Sequence, residues 1–259
     1  MTFVLSLACL FVGIGSGSGF PGQVQQRGAD IVPGLTGENS IVDKQAKAVV
    51  ERMYAAYARC KTYTDTGTFV SEDNRMTFVT RYKRPDRIYF EFTAKNNARD
   101  GRFVYWSTAD RHDAQRRSHH GGFPTTVKNV LHGNAWYGDS GELEKDETLD
   151  MIVAGFTGIS MGTGTTLTTM LFPGEVTSRC FSNMKDLVVE GTAMDRGVLC
   201  DVVYSEENLI RAWIDKESHL LRRVSERFDP ADSEMVTQYE PKVDVVIDDR
   251  HLVFAPPRG

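Results

Sequence analysis

Residues 62–94 read TYTDTGTFVSEDNRMTFVTRYKRPDRIYFEFTA, and their period decides the fold. From Thr62 to Ser71 the chain is rich in Thr and aromatic residues, with Gly67 inside as an expected bulge or bend. Ser71-Glu72-Asp73-Asn74 is turn chemistry. Arg75 to Lys83 then places Met76, Phe78, Thr80 and Tyr82 on one face of a strand. Arg84-Pro85-Asp86 breaks the run. Arg87 to Ala94 places Ile88, Phe90 and Phe92 on one face and Tyr89 and Glu91 on the other. A period of two, cut by short turns, predicts consecutive antiparallel strands of a meander. Phe103 to Trp106 continues the sheet after a turn over Asn96 to Asp100.

Working outward, the period before this stretch is helical. Ser40 offers its hydroxyl as an N-cap, and Val42, Ala46, Val49, Val50, Met53, Tyr54 and Tyr57 recur at helical spacing up to Cys60. After it, Thr108 to Thr126 is polar and basic and reads as a loop or irregular edge. Leu143 to Phe156 has helical spacing, Gly158 to Gly164 is a Gly-rich joint, and Thr165 to Phe172 is a short helix stopped by Pro173-Gly174. Strands return over Leu187–Glu190, Val198–Tyr204, Leu209–Asp215, His219–Arg227, Met235–Tyr239 and Val243–Ile247. The expected class is mainly β (α+β): a curved antiparallel half-barrel of about 8–11 strands, with an N-terminal helix and a helical lid insertion.

The composition of the 259 residues excludes several classes. With 41% hydrophobic and 25% charged residues the chain is neither collagen-like nor a multi-span membrane protein. A net charge of −5 gives no electrostatic footprint for nucleic acid. Phe3 to Ile14 is an apolar run too short to span a bilayer, and small residues follow from Gly15 to Gly19. Residues 1–19 are therefore expected to be a signal peptide, 20–39 a flexible leader and 40–259 the folded domain, in a periplasmic or otherwise exported protein. Ser6-Leu7-Ala8 ahead of Cys9 faintly resembles a lipoprotein processing site, but Leu is missing three positions ahead of the Cys, so lipid anchoring through Cys9 is not expected. Of Cys9, Cys60, Cys180 and Cys200, the last two flank one strand-like stretch. In an oxidising compartment Cys180 and Cys200 are expected to bridge, closing a loop worth about 3 kcal/mol; two small buried thiols are the alternative.

Chemistry-bearing motifs are scarce. His112, Asp113, His119 and His120 share a polar stretch, but Arg111, Arg116 and Arg117 would repel a cation, so no metal is expected. Gly158-Ile159-Ser160-Met161-Gly162-Thr163-Gly164 lacks the Lys and the preceding strand of a phosphate loop and reads as a hinge between two lid helices. Gly158 to Gly162 in the same joint spells Gly-x-Ser-x-Gly, but a helical stretch leads into it where a nucleophile elbow needs a strand, so Ser160 is not expected to be a nucleophile. Asp215, beside Lys216 and Glu217, reads as a turn residue bonded to its own backbone. No catalytic residue and no cofactor is expected.

Several stretches resemble the periplasmic lipoprotein-carrier (LolA-like) superfamily. They are Met53-Tyr54-Ala55-Ala56-Tyr57-Ala58, Tyr63-Thr64-Asp65-Thr66-Gly67 and Lys83-Arg84-Pro85-Asp86-Arg87-Ile88, then Val189-Glu190-Gly191, Ala212-Trp213-Ile214-Asp215-Lys216-Glu217 and Leu221-Arg222-Arg223. The resemblance runs from about Ser40 to Gly259 and implies a half-barrel with helices closing an apolar cavity. Members carry lipoproteins or lipids across the periplasm, or sense them. Carried over, this implies a non-enzymatic monomer that binds lipid or lipoprotein acyl chains. A membrane-bound protein partner fits the alternative, an envelope sensor or interaction module. Phe78, Tyr82, Phe90, Phe92, Leu167, Met170, Leu171, Trp213 and Leu220 are the residues expected to line the cavity.

Overall fold

The computed structural model describes residues 39–96, 100–116, 125–177, 181–184 and 186–257. The signal and leader segments expected before residue 39 lie outside them. Helix α1 (Asn39–Arg59) starts one residue ahead of the expected Ser40 cap. Ala46, Val49, Val50, Met53 and Tyr57 are buried, as their spacing required. The chain then forms β1 (Thr62–Val70), β2 (Asn74–Lys83), β3 (Arg87–Asn96), β4 (Asp100–Arg116), β5 (Thr125–Tyr137) and β6 (Glu142–Thr148). Two helices follow, α2 (Leu149–Ile159) and α3 (Thr163–Leu171), with a single turn of 3-10 helix at Phe181–Asn183. The second run of strands is β7 (Val188–Asp195), β8 (Val198–Ser205), β9 (Ile210–Asp215), β10 (Leu221–Glu226), β11 (Met235–Tyr239) and β12 (Lys242–Val243).

Among the described residues these twelve strands make one antiparallel sheet in the order β6-β5-β4-β3-β2-β1-β11-β10-β9-β8-β7, with β12 added to β1. That is one strand more than the 8–11 expected. The end strands β6 and β7 are not neighbours, so the sheet is open. Its first and last long strands meet in the middle, through Gly67 opposite Tyr239 and Val70 opposite Val236.

One face of β1 to β4 carries Tyr63, Phe69, Phe78, Tyr82, Phe90, Phe92, Phe103 and Tyr105, all buried in a single core with α1, α2 and α3. The rings touch across strands: Phe78 and Phe90 lie 5.9 Å apart, Phe90 and Tyr105 5.0 Å, Phe92 and Phe103 4.9 Å. Such pairs add about 0.5–1.5 kcal/mol each beyond the area they bury. Gly67 makes no bulge, because the β1–β2 register runs through it unbroken. It stands opposite Phe78, and a Cβ there would come within 2.1 Å of the Phe78 ring. The glycine is required by that close approach.

Three sequence expectations change. Thr108 to Thr126, read as a loop or irregular edge, belongs largely to a long β4–β5 ribbon whose register breaks between Ser107 and Arg111 and between His112 and Ala114. Leu143, read as helical, lies on β6, and α2 starts only at Leu149, where the Thr148 hydroxyl accepts from Met151 N at 3.3 Å. The last strand, expected over Val243–Ile247, is two residues long. It stops at Asp244, whose positive φ of 55° turns the chain and whose carboxylate accepts from Lys61 N at 2.7 Å.

On the opposite, convex face the C-terminal segment covers a second small core. Leu252 is buried with Tyr89, Val104 and Trp106, and the Phe254 ring lies 5.5 Å from Trp106 and 5.1 Å from Trp136. No helix among the described residues is long and apolar enough to cross a membrane.

Candidate functional site: the covered inner face of the sheet

The inner face of β2–β4 is aromatic, and α3 lies directly on it. Gly164 makes the contact: a Cβ there would fall 2.9 Å from the Phe90 ring. The Tyr105 hydroxyl reaches up from the sheet, donating to the Gly164 carbonyl at 2.9 Å and sharing a 2.7 Å hydrogen bond with the Thr168 hydroxyl. Phe172, just past α3, packs edge-on against Tyr82 at 5.1 Å. Leu167, Met170 and Leu171 are buried beneath the helix.

The sequence of α3, TGTTLTTML, is a poor helix on its own, since β-branched Thr and Gly are weak formers and nine residues are too few. Its hydroxyls bond back along the helix: Thr166 to Gly162, Thr168 to Gly164 and Thr169 to Thr165, at 2.7–3.1 Å. The helix can therefore bury threonines without unpaired hydroxyls, and docking supplies the rest of its stability. Its entry, Gly162, has a left-handed φ of 80° that glycine adopts freely. A hydroxyl contact of 2.8 Å between Thr157 and Thr165 ties α3 to α2.

Of the residues expected to line this space, Phe78, Tyr82, Phe90, Phe92, Leu167, Met170, Leu171 and Leu220 lie together in the main core. Trp213 does not. Along β9 Ile210, Ala212 and Ile214 alternate as buried residues with Arg211 and Trp213, so the pleat turns Trp213 to the convex face. There the Arg223 guanidinium lies 4.2 Å over its ring. Cys200 is a free, buried thiol on β8, and burial, reinforced by Asp195 and Asp215, pushes it up to about 11. Cys180, the partner expected for it, lies outside the described residues.

His119 and His120 also lie outside the described residues. His112 is exposed on β4 with its ring 5.2 Å from His132, and Asp113 accepts from Asn129 N at 3.1 Å. Among the described residues no three His, Cys, Asp or Glu side chains are grouped to hold a metal ion. Asp215 does cap its own turn, accepting from Glu217 N and Ser218 N at 2.9 and 3.1 Å. It also pairs with Arg222 at 2.9 Å, and these bonds outweigh its burial and bring its carboxyl down to about 2. An open groove of about 340 Å³ lies on the convex face between the threonines of β1 and Arg196. It opens to solvent, and its lining includes Gly67 and Phe78 as well as polar side chains.

The residue that sequence reading passed over is Asp65. The alternation of β1 points Tyr63, Asp65, Gly67 and Phe69 inward, so a carboxyl enters the core at 1% exposure. Its Oδ1 accepts from Glu240 N at 2.6 Å. Burial nevertheless pushes it up to about 7, against the opposing pull of that hydrogen bond, of Tyr63 and of Arg222. In the unfolded chain an Asp titrates near 3.9, so the folded state binds this proton more tightly. The associated stability is complete below about pH 4 and is lost as pH rises through about 7. Asp215 acts in the opposite sense and only below about pH 4. We therefore expect thermal stability to rise as pH falls from 8 to 5.5. Asp65→Asn should stabilise the protein at pH 8, by up to a few kcal/mol, and flatten that dependence. A pH dependence identical in the two proteins would refute this.

No family model matches the chain, and no curated protein does. Among solved structures it is similar to the lipoprotein LppX of Mycobacterium tuberculosis at 10% identity and TM-score 0.42, over 80% of this chain and 98% of that one. It is similar to a chain of the Pseudomonas aeruginosa MucA/MucB complex at 12% and 0.40, over 82% of this chain and 61% of that one. A LolA superfamily protein from Nitrosomonas europaea follows at 8% and 0.26, over 81% and 97%.

Proposed function

We propose that the protein is an exported, non-enzymatic binder or carrier of a lipid or a lipidated protein, and that it takes acyl chains between the aromatic inner face and the α2–α3 cover. The observation that carries this reading is the cover. A short, threonine-rich helix with little stability of its own rests on a continuous aromatic surface. Gly162 before it and Pro173-Gly174 after it leave both ends able to pivot. Lifting α3 would expose Phe90 and Tyr105 to a ligand without unpairing any strand. Export rests on the apolar run Phe3–Ile14 and the small residues after it.

A second reading, an envelope sensor module that contacts a membrane-bound regulator, draws on the open edge of the sheet. There β7, among the described residues, has one side without a strand partner and exposes Val188 and Met194. The deciding experiment is native mass spectrometry of the protein purified from its own host. The carrier reading expects a mass above that of the polypeptide, lost on solvent extraction, on a chain whose N-terminus falls after the Gly15–Gly19 region. Bare polypeptide that takes up no fluorescent apolar probe would remove the carrier reading. Full-length chain retained in the cytoplasm would remove export.

A further inference from the structure

The inner face also carries polar groups that a purely apolar container has no use for, and they adjoin one another. Asp65 and Thr80 stand opposite each other on β1 and β2, and Tyr63 precedes Asp65 on the same face. All three side chains are buried. Asp65 Oδ2, Thr80 Oγ1 and the Tyr63 hydroxyl make no formed hydrogen bond. The Tyr63 hydroxyl lies close enough to Asp65 and Tyr57 to act on the proton of each. Buried polar atoms are almost always paired, so three adjacent exceptions require an explanation.

On β1 and β2 the orphan atoms, with the Tyr82 hydroxyl opposite Tyr63 among them, are all oxygens. Glu240, the nearest other carboxylate, is of like charge and is paired with Arg196 at 3.1 Å. The charge of Arg222 on β10 acts on Asp65, but its guanidinium is bonded to Asp215 at 2.9 Å and its buried Nε makes no hydrogen bond. Tyr57 from α1, Tyr63 from β1 and Tyr239 from β11 are the remaining titratable neighbours, and burial keeps all three protonated. Tyr239 in turn meets Thr166 of α3, which places the cover beside the patch.

We propose that Asp65, Thr80 and Tyr63 form the head-group site of the half-barrel, and that it takes a primary ammonium carried on an apolar chain. A primary ammonium has three N–H donors, one for each orphan oxygen. It also supplies the charge that a buried carboxylate otherwise lacks. The proposal rests on the reading of the inner face as an apolar-ligand site. Because the ammonium pairs with the ionised carboxylate, binding must weaken as Asp65 becomes protonated below about pH 7.

The test is displacement of a bound fluorescent apolar probe from the delipidated full chain by decylamine and by 1-decanol. Decylamine should act at a concentration at least tenfold lower at pH 8, and this advantage should shrink at pH 5.5. The shape-conserving variants Asp65→Asn and Thr80→Val, checked for folding by circular dichroism, should lose the advantage and keep decanol binding. Equal displacement by the two probes, or an advantage that survives in Asp65→Asn, overturns the head-group assignment and leaves the apolar-ligand reading standing. Displacement by neither overturns both.

Discussion

Replacing Phe90 by Ala should lower the unfolding free energy by about 3–5 kcal/mol. The ring is fully buried and touches Phe78, Phe92 and Tyr105 at 5.0–6.0 Å on the sheet, with Gly164 of α3 pressed on its other side. Truncation therefore opens a cavity walled by a sheet and a helix, and a sheet held by ladder hydrogen bonds collapses into such a void poorly. A domain of ordinary stability has about 5–15 kcal/mol in total, so the loss is a large share. Trp213→Ala is the informative control. That ring is as large, but it lies on the convex face under a single guanidinium, and its loss should cost about 1 kcal/mol or less. Urea unfolding followed by circular dichroism measures both. Equal costs would mean that the interior of the half-barrel is not its core.

Gly164→Val should unseat α3 while leaving the sheet folded. The added Cβ would meet Phe90 ring atoms at 2.9, 3.1 and 3.3 Å. The helix cannot turn aside, because the Tyr105 hydroxyl holds the Gly164 carbonyl at 2.9 Å. Overpacking of this kind costs about 1–3 kcal/mol, comparable to what docking contributes to so short a helix. Hydrogen exchange should become faster by tenfold or more over residues 163–171 and change little in β1–β3. Uptake of an apolar probe should become faster as well. Gly158→Ala tests the specificity of the effect: nothing lies within 4 Å of a Cβ there, and the position is helical. That change should be neutral or stabilising by up to about 1 kcal/mol. Unaltered exchange in α3 of the Gly164→Val protein would mean that the cover is not held by this contact.

Much of the molecule was legible from periodicity, which is local physics. The alternation over residues 62–94 located three strands and their inward faces, and helical spacing located α1 and the buried edges of α2 and α3. The same alternation, followed through β9, would have turned Trp213 outward. Choosing it for its aromatic ring instead of its parity with Ala212 and Ile214 put it on the wrong face. Asp65 was likewise readable as inward from its parity with Tyr63, yet its chemistry was passed over because carboxylates are usually exposed.

By itself, then, the sequence determined the strand-rich class, the covering helices and the identity of the aromatic face, because side-chain period and turn chemistry act over a few residues. It carried no signal for β6, whose ELEKDET is a charged edge strand held by backbone pairing with β5 and by Leu143 against the second core. Tertiary structure decided what depends on residues far apart in the chain. It joined β1 to β11 and so made one sheet of two meanders. It brought Gly164 onto Phe90, and it set Asp65 beside Thr80 among buried tyrosines, where desolvation rather than sequence neighbours governs the proton.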